Sequence, residues 1–466
     1  MRLIIAGLLA SVALAGCAVP DAKPVLTPKA PDTLGLSATP APAIAGDWWR
    51  SFGDPQLDRL VSDALAGNPS LDTALARVRQ ASAILAGNRA EDGPNVSFDA
   101  NPQVARLSGR YEIPPPYAGT VRFVGTAQAG LNWNLDLFGR QKAVIDQARN
   151  AVRAAGFDVA AARLAIAGSV VQAYIDLARA EQQQAIAART IETREGSLRL
   201  VDARIRNRLA SKLDREAAQT LLAQARQALI RARSARAIAA NALAALAGRG
   251  ADYAAAITPA TLQFDAAIPL PATVPADLLA RRPDIAAALA RIDAAASGQL
   301  AARRAFYPDI NLAGLIGLQA IDIGNFFNPD AGTVGVGGAI HLPIFDNGRL
   351  KANLAGATAG IDLAIADYNG RVVAAVRDAS DALTRIAGLE ADRARQRDVV
   401  KGLAETGRLN AIRVASGLSS RLDLVDNDVR RLDAEQADLN LAADAAAQRV
   451  ALVLALGGGF DSKDVK

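Results

Sequence analysis

The sequence repeats itself at the scale of a domain. Pro69 and Pro94 stand 25 residues apart, and so do Pro283 and Pro308. Leu137-Phe138-Gly139-Arg140 is echoed by Phe345-Asp346-Asn347-Gly348-Arg349. Leu209-Ala210-Ser211-Lys212-Leu213-Asp214 is echoed by Leu418-Ser419-Ser420-Arg421-Leu422-Asp423. Arg140 precedes Asp214 by 74 residues, and Arg349 precedes Asp423 by the same 74. A period of roughly 210 residues is far above that of solenoids and propeller blades. The duplicated unit is itself domain-sized, so the chain builds with pseudo-symmetry.

The N-terminus reads as a secretory signal over 1–16: Met1-Arg2, an apolar run from Leu3 to Ala15, then Gly16. The run is too short to cross a bilayer, which takes about 20 apolar residues. Leu14-Ala15-Gly16-Cys17 resembles the bacterial lipobox, which implies that Cys17 becomes the lipidated first residue of the mature chain. An incidental small residue is the bland alternative. Ala18 in place of Asp favours the outer membrane. Cys17 is the one cysteine in the chain, so no disulfide staples the fold. Residues 17–46 carry Pro20, Pro24, Pro28, Pro31, Pro40 and Pro42, the composition of an extended, lipid-anchored tether.

The formal net charge is +5, and the surplus is thinly spread. Arginines such as Arg204, Arg206 and Arg208 alternate with apolar residues along helical segments, which reads as a solvated face and not a nucleic-acid site. No later stretch reads as a membrane-spanning helix. The protein therefore hangs from its lipid or crosses the outer membrane by strands.

A first repeat is expected over 47–257, with a helix over 57–92, strands over 96–113 and 119–137, and helices over 140–207 and 214–247. A linker follows over 258–276. The second repeat, 277–460, has a helix over 277–306, strands over 309–321 and 333–344, and helices over 349–415 and 421–456, with a tail over 461–466. Apolar residues at steps of three and four (Val159, Ala162, Ile166, Val170, Ala173, Leu177) mark the first long helix. Ile361, Ile365, Tyr368, Val372, Val376, Ala379, Leu383 and Ile386 mark the second. Each would be about 100 Å long at 1.5 Å per residue. The two shorter helices of a repeat sum to the long one, so they are expected to stack end to end and antiparallel beside it, with small Ala at the seams.

The inserts between helices alternate with period two. Val121, Phe123, Ala127, Ala129, Leu131, Trp133, Leu135 and Leu137 share one face, while Arg122, Thr126, Gln128, Asn132, Asn134 and Asp136 share the other. Phe123, Leu131, Trp133 and Leu135 are the candidate lipid-facing side chains. In the second repeat Ile310, Leu312, Ile316 and Leu318, then Val334, Val336, Ile340 and Leu342, make the dry face, and His341 falls on the wet side. Four strands cannot close a barrel, and an open edge in lipid leaves backbone groups unpaired. The barrel must be shared: two chains give eight strands with a filled interior, three give twelve with a passage.

The chemistry inventory is sparse. One His, one Cys and no Gly-Lys dipeptide leave no P-loop, zinc cluster or His-based triad. No enzyme, no cofactor and no metal site is expected.

Trp48-Trp49-Arg50-Ser51-Phe52-Gly53-Asp54-Pro55-Gln56-Leu57, then Asn68-Pro69-Ser70-Leu71 and Ala76-Arg77-Val78-Arg79-Gln80-Ala81, closely resembles the opening of outer membrane factors. Leu135-Asp136-Leu137-Phe138-Gly139-Arg140, Arg281-Arg282-Pro283-Asp284-Ile285, Phe306-Tyr307-Pro308 and Ala455-Leu456-Gly457-Gly458-Gly459-Phe460 match further landmarks. The likeness points to the NodT or OprM-like lipoprotein branch related to TolC. It implies a mainly α fold with β: a homotrimer with a twelve-stranded transmembrane β-barrel continued by a long periplasmic α-helical barrel. It implies the exit duct of a tripartite efflux system for drugs, toxic compounds or metal ions. A periplasmic adaptor and an inner-membrane resistance-nodulation-division transporter would be the partners.

The family docks its adaptor on the turns between long and returning helices, here Leu209, Ala210 and Ser211, and Gly417, Leu418, Ser419 and Ser420. Arg208 departs from the Gly that stands at 417. The resemblance also implies a periplasmic gate near those turns, with Arg413, Asp423 and Asp426 as candidates. Two alternatives stay open: an exit duct for type I protein secretion, and a pore-free periplasmic coiled-coil scaffold.

Overall fold

The computed structural model describes residues 20–37, 42–110, 112–265, 271 and 273–461. Cys17, the signal segment and all of the tail but Asp461 lie outside them. In chain order the elements are α1 (Pro55–Gly67), α2 (Pro69–Ala90), β1 (Asn95–Arg106), β2 (Val121–Leu135), α3 (Arg140–Arg206), α4 (Lys212–Leu246), α5 (Ala251–Ala255), α6 (Leu278–Arg281), α7 (Pro283–Arg304), β3 (Asp309–Ile321), β4 (Gly332–His341), α8 (Arg349–Ala415) and α9 (Arg421–Ala455). Both long helices run unbroken for 67 residues, and both returning helices for 35.

The single helices expected over 57–92 and 277–306 are each two helices. Asn68 and Arg282 sit in extended backbone (ψ 121° and 123°) because each precedes a proline, whose ring clashes with a helical predecessor. The proline then opens the next helix, where its missing N–H costs nothing.

The chain divides into two compact units. One holds Arg77–Ala155, Ala288–Tyr368 and the described part of Met1–Pro28. Its four strands form a single antiparallel sheet in the order β1-β2-β3-β4. Each long helix starts here on an Asp cap. Asp136 accepts from the N–H groups of Gln141 (3.0 Å) and Lys142 (2.8 Å), and Asp346 from those of Gly348 (3.1 Å) and Leu350 (2.8 Å). Leu85, Ile145 and Ala148 pack α2 onto α3. The described part of the tether is docked: the N–H groups of Val25 and Leu26 both donate to Asp362 at 2.8 Å, and Gln299 donates to the Ala22 carbonyl at 2.8 Å.

The second unit holds the described parts of Lys29–Ala76, Gly156–Ala287 and Asn369–Lys466. Its core packs Trp48, Phe52, Leu57 and Val61 against Val170, Tyr174, Ile175 and Leu177 of α3 and Leu439, Ala443, Val450 and Val453 of α9. One stretch of α3 is apolar enough by length and composition to cross a bilayer, which the sequence reading did not anticipate. Its apolar residues between Ile166 and Leu177 lie in this core, which accounts for that composition. A buried polar network pins the linker. Asp54 accepts from Tyr174 Oη (2.6 Å) and the Thr261 N–H (2.9 Å), while Glu181 accepts from Arg236 (2.9 Å) and the Ala260 N–H (2.8 Å). Burial pushes the Asp54 carboxyl up, but the hydrogen bonds from Tyr174, Thr261 and Gln56 hold it below its ordinary value.

At the far end of each returning helix the same junction recurs. Gly248 (φ +67°) approaches the Gly67 carbonyl so closely that a Cβ would lie 2.1 Å from its oxygen; at Gly457 (φ +90°) a Cβ would lie 1.9 Å from the Arg281 oxygen. The break residues close both joints: Asn68 Nδ2 donates to the Leu246 carbonyl (2.8 Å), and the Arg282 guanidinium to the Ala455 carbonyl (3.0 Å). Returning helices therefore abut the breaks between α1 and α2 and between α6 and α7. Gly248→Ala and Gly457→Ala are each expected to cost about 2–4 kcal/mol, from left-handed backbone plus a clash with backbone that no rotamer relieves. Gly53 (φ +68°) has nothing within 4 Å of a Cβ, so Gly53→Ala should cost only about 1–2 kcal/mol. Denaturant unfolding followed by circular dichroism ranks the three; equal losses would show that the close approach is immaterial.

Candidate functional site: the sheet faces and the helical turns

Directly paired residues of antiparallel strands share a face, so the register sorts every side chain of the sheet. One row is Phe98, Ala129, Ile316 and Val334; the next is Val96, Leu131, Gly314 and Val336; another is Leu135, Ile310 and Ile340. Trp133 pairs with Leu312, and Phe123 with Val104. This face carries no polar side chain from Val96 to Val104 or from Ile310 to Ile340. It is open: Phe98 is 70% exposed, Val334 81% and Val336 85%. Exposed apolar surface of this extent marks a contact with lipid or protein.

The opposite face is mostly polar or small, with Val124, Leu315 and Ile321 as apolar exceptions. Asp99 pairs with Gln128, Gly317 and Thr333 in turn, and Asn101 with Thr126 and Gln319. Asn134 donates to Asp309 (2.8 Å), Asn311 to Asn132 (3.2 Å), and His341 sits opposite Asp309. Aromatic clusters frame the sheet. Phe138 stacks on Tyr307 at 5.2 Å beside the start of β3, and Phe326 meets Phe123 (6.1 Å) and Phe327 (5.2 Å) edge-on at the other end. Trp133 Nε1 donates to the Asp92 carbonyl at 3.0 Å. Such girdles at both ends of an apolar band are the pattern of outer-membrane strands.

The two turns between long and returning helices are built alike. After α3, the N–H groups of Leu209 and Arg208 donate to the carbonyls of Arg204 (2.8 Å) and Ile205 (2.9 Å); after α8, Leu418 and Gly417 donate to Arg413 (2.8 Å) and Val414 (3.1 Å). Both closures need left-handed backbone at the capping residue. Gly417 supplies it at φ +72°, and Arg208 adopts it at φ +57°. The sequence departure at Arg208 thus leaves the turn geometry unchanged. Ser211 and Ser420 then open α4 and α9 as capping boxes with Asp214 and Asp423. Leu209 and Leu418 project into solvent, 68% and 72% exposed, and Ala210 lies beside Leu209.

The gate candidates have local partners that sequence reasoning missed. Asp423 accepts from Ser419 Oγ (2.8 Å) and the Ser420 N–H (3.1 Å), and these bonds hold its carboxyl below the ordinary value, with Arg413 assisting. The Ser-x-x-Asp spacing was the available signal for that cap. Asp426 lies 3.8 Å from Arg194 of α3.

A sheet with one dry and one wet face, joined to helices of 67 residues, defines the class of TolC-like outer membrane channels. The sequence profile described as outer membrane efflux protein matches residues 60–249 and 274–458. The chain belongs to that family. It is 36% identical over 433 residues to outer membrane protein OprJ of Pseudomonas aeruginosa, covering 89% of this chain and 86% of that one. Fusaric acid resistance protein FusA of Burkholderia cepacia is 33% identical over 369 residues, 77% of this chain and 70% of that protein. The crystal structure of the outer membrane protein VceC from Vibrio cholerae superposes with a TM-score of 0.82 at 30% identity, covering 90% of this chain and all of that one. The protein is an efflux channel of the outer membrane that extends into the periplasm.

Removing the Asp423 side chain is expected to leave the Ser420 N–H without its partner and to loosen the first turn of α9. Amide hydrogen exchange at Leu422 and Leu424 should then quicken about fivefold in Asp423→Ala, but not in Asp426→Ala. The carboxyl is depressed in the folded state, so this stabilisation is complete above the unfolded value of about 3.9 and is lost as acid protonates it below that. The same wild-type exchange rates with and without Asp423 at neutral pH would remove the capping role.

Proposed function

We propose that three copies of the chain close a twelve-stranded barrel by pairing β1 of one copy with β4 of the next. On this reading the protein is the exit duct of a tripartite efflux system. The observation that carries it is the sheet itself: a dry face of full strand length, a mostly wet face opposite, and two outer strands whose outer edges pair with no other strand among the described residues. In hydrocarbon each unpaired backbone group costs several kcal/mol, so the edges must be paired in an assembly. The small residues Gly335, Gly337 and Ala339 on the wet side of β4 suit an open passage. A pore-free scaffold would have no use for the dry face.

The remaining assignments follow the family. Cys17 would carry lipid and anchor the mature chain beside the barrel. Leu209, Ala210, Ser211, Gly417, Leu418, Ser419 and Ser420 would receive the periplasmic adaptor, which links the duct to a resistance-nodulation-division transporter. Arg413, Asp423 and Asp426 would close the passage at rest. The resistance for which FusA is named supports small toxic compounds as cargo.

Two measurements test this. Leu131→Arg places a charge on the dry face and should lower the yield of assembled trimer, at a cost of about 2–4 kcal/mol near the bilayer midplane. Asn132→Arg, one residue on, should assemble normally; equal yields would refute a lipid-facing strand. In planar bilayers Arg413→Ser and Asp426→Ala should each raise single-channel conductance, with the double variant showing less than the sum. Normal conductance in both, with the trimer intact, would move the gate elsewhere.

A further inference from the structure

The two helical turns share a backbone but not a charge. Within 204–215 stand Arg204, Arg206, Arg208, Lys212 and Arg215 against the single acid Asp214; within 413–424 stand Arg413 and Arg421 against Asp423. In the second repeat the positions of Arg206, Arg208 and Arg215 are held by Ala415, Gly417 and Leu424. Duplication gave both turns the same hydrogen-bonded frame, and the first one alone is strongly basic.

The contrast with the helices above the turns is informative. Along the shafts, arginines find acids on the neighbouring helix: Arg179 with Asp444 (2.7 Å), Arg189 with Glu435 (2.8 Å), Arg226 with Glu195 (3.0 Å) and Arg449 with Glu390 (2.9 Å). At the first turn, among the described residues, Arg215 alone does so, with Asp202 at 3.1 Å. The Asp214 carboxylate is taken by the Ser211 cap, and Arg204 donates to the Leu209 carbonyl at 3.4 Å. Among the described residues Arg206, Arg208, Lys212 and Arg421 form no ion pair. Arg208 moreover holds left-handed backbone, which disfavours any side chain and which glycine fills at the matching turn. Folding alone would be better served by glycine. The first turn thus carries a cation where glycine would be less strained.

Between the turns lies a cleft of about 480 Å³ with Leu200, Leu209 and Leu422 as apolar lining and Arg204, Asn207 and Arg421 as its polar lining. Leu209 and Leu213 stand exposed beside it at 68% and 78%. Apolar knobs ringed by unpaired cations fit a partner that is apolar at its centre and acidic at its rim.

We infer that the first turn is a cationic docking surface that selects an acidic partner, the acidic end of a periplasmic adaptor, whereas the second turn, with Gly417 and Leu418, engages through shape and apolar contact. This rests on the adaptor-docking reading above and adds that the two turns of each chain are inequivalent. Long-range attraction between a basic turn and an acidic hairpin end acts chiefly on the association rate, and salt screens it.

The test uses the full chain in detergent micelles, with the soluble periplasmic domain of each adaptor encoded in the same genome as the probe. Arg206→Gln/Arg208→Gly/Lys212→Gln removes three cations and relaxes the turn, so loss of folding is not its failure mode. For the adaptor that binds wild type, association should slow at least tenfold between about 50 and 300 mM salt. The triple variant should associate about tenfold more slowly at low salt and respond little to salt. Leu418→Ala should weaken binding while keeping the wild-type salt response. An unchanged rate and salt slope in the triple variant would overturn the inference. So would a variant that keeps adaptor binding but loses binding to vesicles with about one-third anionic phosphatidylglycerol, since the basic turn would then serve a lipid surface. If no adaptor binds wild type, the docking reading itself fails, and the inference with it.

Discussion

The unpaired edges and bare apolar face of the four-stranded sheet constrain everything else in this protein. In water the dry rows from Val96 to Val336 would drive aggregation, and in lipid the free backbone groups of β1 and β4 would each carry a desolvation cost of several kcal/mol. Neither solvent tolerates the chain alone. The sheet is best accommodated where apolar side chains meet hydrocarbon and the edges meet other strands, the condition that the proposed pairing between copies would satisfy. Because β2 and β3 come from different repeats and pair at the centre of the sheet, each copy of the duplicated unit contributes one edge. A half-length ancestor would have presented two strands and the same problem.

Duplication also explains why the helical part tolerates such different side chains at equivalent places. The joint where a returning helix meets a broken one is made twice. An asparagine amide closes the first on Leu246, and an arginine guanidinium closes the second on Ala455. What is shared is the backbone requirement: a proline that ends one helix and starts the next, and a glycine with positive φ whose missing Cβ allows contact with a carbonyl. Side-chain identity drifts where only a donor is needed. Glycine persists where no substitute fits.

These distinctions set what could be read before the structure. The long helices were legible because 67 residues without proline keep one apolar stripe, and the strand faces because period-two alternation is unambiguous over 15 residues. The breaks at Asn68-Pro69 and Arg282-Pro283 were signalled by proline yet read as the interior of single helices over 57–92 and 277–306, since the apolar pattern resumes beyond them. The docking of the tether on Asp362 and the Asp54–Tyr174 network were illegible, because contacts between residues 120 and 337 positions apart leave no local period. At the turns, the positions of the candidate residues were legible but not their occupations. Asp423 looked like a charge free to face a passage, and it is engaged as a helix cap.

That engagement bears on how a gate at these turns can work. A carboxylate that already accepts from Ser419 and Ser420 has lone pairs to spare, but any cation that draws it away from them also loosens the first turn of α9. If Arg413 of one copy reaches an acid of another to close the passage, closure through Asp423 competes with the cap, whereas closure through Asp426 competes only with a 3.8 Å contact to Arg194. The weaker local bond makes Asp426 the cheaper partner. Contacts to Arg194 also tie it to the shaft of α3, whose own turn carries the unpaired cations.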